Sequence, residues 1–370
     1  MVDKARAAKD GNEFHETWAA RRSLELLMPR DELNAIAVEG FSVEDGRHVS
    51  NAATEIADLV LYYGIDSAFE TAKRVEISQF KYSVVNANKP FVAADAKKIL
   101  EKFVAADADY RRRFGDQQVE NRLRFSIVTN RPIDADFALA VSKLASGKVS
   151  HERRVIDQAH QVFSACNRSP RDLESFLSRL EMRGASGSLT ALKADVATRI
   201  VDWSASSDYV AQGRLGALKA LVRTKAGTEG ANRNVIRLED VLSALHVADA
   251  RDLLPTPASF VGIGPVVSRS LAQKKVLENL FKQRPVLLHA AGGVGKTVFM
   301  QALASNLATQ GEVILFDCFG GGNYRSVEDS RHQPQKGLLH VVNALASKGL
   351  CDLIIPGPLS TPDLLATARR

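Results

Sequence analysis

Val75-Glu76-Ile77-Ser78-Gln79-Phe80-Lys81-Tyr82 reads as a strand in which polar side chains break an apolar pattern. Side chains alternate between the two faces of a strand. Ile77, Gln79 and Lys81 therefore share one face, and Glu76, Ser78 and Phe80 share the other. Upstream, Asp58 interrupts the apolar run Ile56-Ala57-Asp58-Leu59-Val60-Leu61-Tyr62, where a carboxylate is costly unless it is paired or bound to metal. Glu39 ends a shorter run that starts at Ala35. Two carboxylates, an amide oxygen and a lysine are parts that phosphodiester hydrolysis requires. Oxygen ligands hold magnesium, which activates water and neutralises charge on the phosphate. A nearby lysine orients or deprotonates that water. Glu39, Asp58, Gln79 and Lys81 are thus the candidate catalytic set, with Glu39, Asp58 and Gln79 as metal ligands. Glu76 faces the wrong way and is excluded. His15 and Glu16 on the preceding helix are further candidates, with a packed or solvent-facing role expected for each. The competing reading is structural: Lys81 as a strand-edge charge and Asp58 as a capped strand residue.

Around this strand the pattern predicts a helix over residues 12–27, ended by Pro29, then strands over 35–39, 56–63 and 75–82. A helix over 93–106 and a strand over 123–129 follow, the latter closed by the turn Asn130-Arg131-Pro132. The order αβββαβ is that of an α/β domain over residues 1–150. Between 150 and 250 the strand signals fade, and Leu173, Phe176, Leu177 and Leu180 recur at helical spacing, as do Val241, Leu242 and Leu245. Residues 151–255 are therefore expected to be a helical linker, and Pro255-Thr256-Pro257 a boundary. No fixed-period repeat is present.

A third domain is expected over 256–370. Its centre is Pro285-Val286-Leu287-Leu288-His289-Ala290-Ala291-Gly292-Gly293-Val294-Gly295-Lys296-Thr297, an apolar strand running through small residues into a helix. Small residues let backbone N–H groups approach phosphates, and a helix N-terminus adds partial positive charge. Residues Ala291, Gly292, Gly293, Val294, Gly295, Lys296 and Thr297 are the expected nucleotide cradle. Lys296 would reach the β- and γ-phosphates of ATP, and the Thr297 hydroxyl would ligate Mg2+. The first glycine of the G-x-x-x-x-G-K-[ST] motif is replaced by Ala290. The competing reading is a glycine-rich turn beside an unrelated Lys-Thr pair. Helices are expected over 267–281, 297–307 and 337–348, and strands over 286–289 and 313–317. Asp317 ends the last strand, as a magnesium aspartate or as a turn cap.

The bulk properties narrow the alternatives. Of 370 residues, 45% are hydrophobic and 25% charged, ordinary for a globular chain. The N-terminus is too polar for a signal peptide, and no apolar run spans a bilayer. Cys166, Cys318 and Cys351 lack paired spacing, so neither a disulfide framework nor a zinc site is expected, and a cytoplasmic location fits. The net charge of +6 is unevenly spread. Residues 1–150 hold 22 Lys+Arg against 23 Asp+Glu, whereas residues 261–370 hold 12 against 7. The excess lies with the glycine loop, so bulk charge neither supports nor excludes DNA binding by the first domain.

The motifs carry two family resemblances. Asp58 with Gln79-x-Lys81 resembles the PD-(D/E)xK nucleases in their Mrr-like form, where glutamine replaces the middle acid, and the αβββαβ order is that of their restriction-endonuclease-like core. Gly11-x-x-Phe14-His15-x-x-Trp18-Ala19, Val38-Glu39-Gly40 and Ile127-Val128-Thr129-Asn130-Arg131 are similar to the double-stranded-DNA nuclease domain fused to antiviral STAND proteins. The glycine loop, and the helix before it with Arg269 near its start, resemble those of STAND NTPases. That resemblance places residues 260–265 near the adenine and a magnesium aspartate on a later strand. Together they match the layout of Avs-type antiviral NTPases. The resemblance implies a magnesium-dependent endonuclease that degrades double-stranded DNA after ATP-dependent homo-oligomerisation, as a tetramer for instance. It implies triggering by a phage protein through a C-terminal sensor absent from this chain, which would then be an N-terminal fragment. Two other functions compete: a degenerate effector that binds nucleic acid or protein without cutting, and a plain P-loop ATPase with an unrelated N-terminal adaptor.

Overall fold

The computed structural model describes residues 4–27, 32–46, 57–184, 188–204, 208–227, 233–248, 250, 260, 269–282, 284–319, 332–346, 348 and 350–351. The chain forms two compact units, Met1–Asp252 and Leu253–Arg370.

The first unit is a mixed α/β structure. Helix α1 (Lys4–Ser23) passes through a 3-10 turn (Leu24–Leu27) into β1 (Leu33–Val38), then the single-turn α2 (Val43–Gly46), β2 (Leu59–Tyr63) and β3 (Arg74–Lys81). β1, β2 and β3 form an antiparallel meander. Helix α3 (Ala93–Phe114) and the short α4 (Asp116–Arg122) then carry the chain to β4 (Leu123–Thr129), which lies parallel to β3. A parallel neighbour requires a crossover, and α3 supplies it. Its buried residues Ala96, Ile99, Leu100, Phe103, Ala106 and Tyr110 recur every three or four positions, so one stripe faces the sheet. Asp95 accepts from Val92 N (3.2 Å) at the helix start. Gly115, at φ 81°, turns the chain out of the helix in a backbone region that side chains disfavour.

The expected order αβββαβ is therefore present, but the sheet is larger. The chain continues through α5 (Ala135–Ala145), α6 (Arg153–Cys166), α7 (Pro170–Leu177), β5 (Leu180–Arg183), α8 (Leu189–Ser204), α9 (Asp208–Ala226), β6 (Val235–Ile236) and α10 (Leu238–Ala244). β5 pairs in parallel with β4, and β6 pairs antiparallel with β1, giving the order β5-β4-β3-β2-β1-β6. Residues 151–255 are thus not a linker. They supply both outer strands, while α6 and α7 join α3 and α5 over the face that carries Val75 and Ile77. On the opposite face Phe80 meets Phe14 and Trp18 of α1, and α8 and α9 pack on α1 in turn.

A buried carboxylate ties these segments together. Asp107 on α3 has no exposed surface and is held by Arg179 (2.6 Å), Arg168 (2.6 Å) and Arg111 (2.9 Å). Burial alone would raise its pKa, but these arginines win and hold it below the usual carboxylate value. Arg168 and Arg179 both come from the supposed linker.

In the second unit the described residues form α11 (Ser270–Phe281), α12 (Lys296–Leu307) and α13 (Pro334–Ala346). Val276, Phe299 and Leu303 form a small core that Val286 packs against. The strands expected over 286–289 and 313–317 are not formed, because a strand needs a hydrogen-bonded neighbour and neither segment has one among the described residues.

Two expectations follow. Residues 1–252 should unfold in one cooperative thermal transition, whereas residues 1–150 should show none, because they leave Asp107 without Arg168 and Arg179. Asp107→Ala, which strands Arg179 at 4% exposure, should cost about 3–5 kcal/mol in denaturant unfolding of residues 1–252.

Candidate functional site

The β2–β3 register builds the site. Leu59 lies opposite Ser78, so Asp58, one residue before β2, falls opposite Gln79. Directly opposed residues of an antiparallel pair share a face. Asp58 Oδ2 accepts from Gln79 Nε2 (2.5 Å) and from Phe80 N (2.6 Å). Sequence reading placed Asp58 inside a strand starting at Ile56; the ladder starts at Leu59, and residue 56 lies outside the described residues. Gln79 serves here as a donor to the carboxylate, which positions Asp58.

Glu39 follows β1 with a left-handed backbone, φ 51°. That conformation costs a non-glycine residue about 1 kcal/mol, and the surroundings fix it. Glu39 N donates to Asp58 O (3.0 Å). Asn234, just before β6, donates from Nδ2 to Val38 O (3.1 Å) and Phe41 O (2.9 Å), and its carbonyl accepts from Val38 N (3.0 Å). A residue nearly two hundred positions away in the chain thus clamps both sides of the bend that presents Glu39.

From α1, His15 lies against the Phe80 ring, with centroids 4.9 Å apart. One ring nitrogen of His15 and one carboxylate oxygen each of Glu39 and Asp58 lie within 4.8 Å of one another. His15, read from sequence as packed or solvent-facing, is packed and also belongs to this cluster. Glu16 does not; it makes a two-bond ion pair with Arg223 of α9 (2.7 and 2.8 Å). The cluster opens into a cavity of about 460 Å³ whose far wall is Val222, Arg223, Ala226 and Gly227.

Burial controls the electrostatics. It lifts the Asp58 carboxyl to a pKa of about 7, with the Phe80 N–H opposing the shift and the Glu39 charge adding to it. Burial likewise raises Glu39. His15 is pushed down to about 4, first by burial and then by the Lys81 charge. Lys81 itself is exposed, and its charge acts on both His15 and Asp58. Two carboxylates disfavoured as anions beside a neutral imidazole make a donor set that fits a divalent cation, which would relieve both penalties. The imidazole nitrogen favours manganese more than magnesium. Glu76 is elsewhere: it is buried, 3.3 Å from Arg183, and does not line this cavity.

In the second unit, Gly293 (φ 76°) and Gly295 (φ 85°) take left-handed conformations ahead of α12. A side chain on either would be strained although space is open. Gly295 is the N-cap of α12. Lys296 Nζ reaches back over the loop to Ala290 O and Ala291 O (2.8 Å each), and Arg269 donates to Val294 O (3.0 Å). Thr297 is exposed at the first turn. Asp317 Oδ1 accepts from Phe319 N (2.9 Å), the turn-capping arrangement. Of the segment expected near an adenine, residues 261–265 lie outside the described residues.

No protein-family model matches the chain, and no curated protein matches it in sequence. Among solved structures it is similar to a SAVED/CARF-domain containing receptor, Cap4 of Moraxella osloensis, at TM-score 0.37 and 12% identity. The match covers 64% of this chain and 46% of that one, so the chain spans about half of the receptor's length. A likeness of that size carries no argument about fold or function. Among the described residues no helix is long and apolar enough to cross a membrane.

The Asp58 environment predicts a pH dependence. Unfolded, the carboxyl has an ordinary value near 3.8; folded, its value is about 7. Between those values the folded state keeps a proton that the unfolded state has released, so this group's contribution to stability falls as pH rises and the penalty is complete above pH 7. In metal-free buffer, Asp58→Asn should match wild type near pH 4 and exceed it at pH 8, by up to about 4 kcal/mol. His15 has the opposite sign below its ordinary value near 6.5, so the difference is read at pH 8, where its imidazole is neutral in both the folded and the unfolded state.

Proposed function

We propose that the first unit is a metal-dependent endonuclease acting on double-stranded DNA, and that the second unit binds ATP and Mg2+ to control it. The observation that carries the reading is the meeting of His15, Glu39 and Asp58 within 4.8 Å, with Lys81 acting electrostatically on the same point. Glu39, Asp58 and neutral His15 would hold the cation. When bound, it would activate a water and neutralise charge on the scissile phosphate. Gln79 and the Phe80 amide fix the Asp58 carboxylate. Lys81, exposed at the end of β3, would place a cation beside the phosphate. Arg223 also lines the cavity, but its charge is paired with Glu16.

The lysine and backbone amides of the Gly292–Thr297 loop support nucleotide binding by the second unit. The antiviral role, the homo-oligomer and the phage-protein trigger belong to this proposal through the sequence resemblance alone. A degenerate, non-cleaving effector is the second reading; the observation favouring it is Gln79, which donates to Asp58 where an acidic residue would offer another anion.

Asp58→Ala and Lys81→Ala should each lower plasmid cleavage by about 10²–10³ with manganese or magnesium present. Glu76→Gln, which keeps the buried volume, should cut normally. Full cleavage by Lys81→Ala would refute the assignment, and no cleavage by an artificially oligomerised wild-type chain at any manganese or magnesium concentration would establish the degenerate reading. For the second unit, Lys296→Ala should abolish ATP binding in calorimetry, since it removes the cation aimed at the β- and γ-phosphates; unchanged affinity would exclude a P-loop.

A further inference from the structure

At the end of the central strands remote from Asp58, β2 finishes at Tyr63, β3 starts at Arg74, and β4 and β5 start at Leu123 and Leu180. A second cavity of about 540 Å³ lies there, and five arginines and three glutamates line it. Pairing consumes the carboxylates. Glu25 bonds Arg22 (2.8 Å). Arg183 grips Glu181 through two bonds of 2.9 Å and lies 3.3 Å from Glu76.

Three arginines remain. Arg74 stacks on the Tyr63 ring at 3.7 Å. Arg124 donates to two backbone carbonyls, Glu120 O (3.0 Å) and Leu123 O (2.8 Å). Neither makes an ion pair among the described residues. Arg179, at 4% exposure, spends Nη2 on Asp107 and Nε on Ser175 O, while its Nη1 is buried without a partner. Asp107 is shared with Arg111 and Arg168, and Arg111 also pairs with Asp116 and Glu120, so the unbalanced charge at the cavity rests mainly with Arg74 and Arg124. The three cations feel one another: burial, then the charges of Arg179 and Arg74, pull the Arg124 pKa down.

A protein does not gather unbalanced, partly desolvated guanidinium groups around a cavity without cost. We infer that this cavity binds a small ligand carrying a phosphate group, held by Arg74 and Arg124 with the buried Arg179 charge behind them. A phosphate supplies several acceptor oxygens in the geometry a guanidinium fork prefers, and its charge offsets that of the three arginines. A small molecule suits the site better than a nucleic-acid backbone. Arg179 is too buried for a broad convex duplex, and the volume is in the range of about 300–1,000 Å³ that small-ligand pockets occupy. The site is distinct from the candidate nuclease cavity, and no residue lines both. It therefore stands whether or not the chain cuts DNA.

The test titrates inorganic phosphate and pyrophosphate separately into the full chain by calorimetry at physiological salt. The protein carries Lys296→Ala, so that the glycine loop does not contribute. Binding of at least one probe is expected. Arg124→Gln and Arg74→Gln should each weaken it at least tenfold, about 1.4 kcal/mol. Arg112→Gln, which removes an exposed arginine of α3 that does not line this cavity, should leave it unchanged. Arg74 is exposed, so Arg74→Gln keeps the test informative if Arg124→Gln fails to fold. Absence of binding by both probes at millimolar concentration, unaltered affinity in the Arg74 and Arg124 variants, or equal weakening by Arg112→Gln would overturn the proposal.

Discussion

The hydrogen bond from the Phe80 amide to Asp58 Oδ2 is the contact on which the candidate site of the first unit depends. It fastens a carboxylate at the point where the β2–β3 ladder ends, in surroundings that disfavour its charge. Burial lifts its pKa to about 7, so that the group is only about half ionised near neutral pH, and the adjacent Glu39 pushes it the same way. A folded protein that maintains such a pair is holding free energy available to whatever cation relieves it. Under the proposed function, stability and metal binding pull in opposite directions at this position, as is common where a site is preorganised.

The sheet makes that arrangement rigid from both sides. On one face, α3 and the helices that follow it close a continuous apolar core. On the other, α1 brings Phe14, His15 and Trp18 onto Phe80, so packing of the first helix and placement of the imidazole are the same event. The bend at Glu39 is held by Asn234, which returns from the far end of the unit to extend the sheet beside β1. Asp107 does comparable work across the core, joining α3 to the segment before β5. The candidate site is thus assembled by residues spread over most of the first 252 positions, and the chain between the early strands and the glycine loop is structural substance.

Much of this was legible in the sequence, for identifiable reasons. Leu123–Thr129 is apolar, β-branched and closed by Asn-Arg-Pro, and its bounds match expectation. The run at Val75 is displaced by one residue. α3 was anticipated from Ala93 but extends past Ala106, because its polar final turns pair Arg111 with neighbours that a pattern reading does not see. β5 and β6 were missed. Leu180-Glu-Met-Arg and Val235-Ile236 have too few residues for a period, and only β4 and β1 beside them make them strands. Asp58, Gln79 and Lys81 stand out in the sequence because polar residues in apolar strands need a reason, and the β2–β3 register brings Asp58 and Gln79 together. His15 was undervalued, since a histidine on a helix declares its role only when the opposing strand is known. Asn234 and the arginine cavity left no local signal, being built from segments far apart in the chain.

The central claim is that Asp58 exchanges its proton for a cation. Titrating manganese into the nucleotide-free full chain at pH 6, in two buffers of different ionisation enthalpy, measures binding and proton release together. The account predicts binding accompanied by release of close to one proton, with both binding and release lost in Asp58→Asn. Binding without proton release, or release that persists in Asp58→Asn, would contradict it.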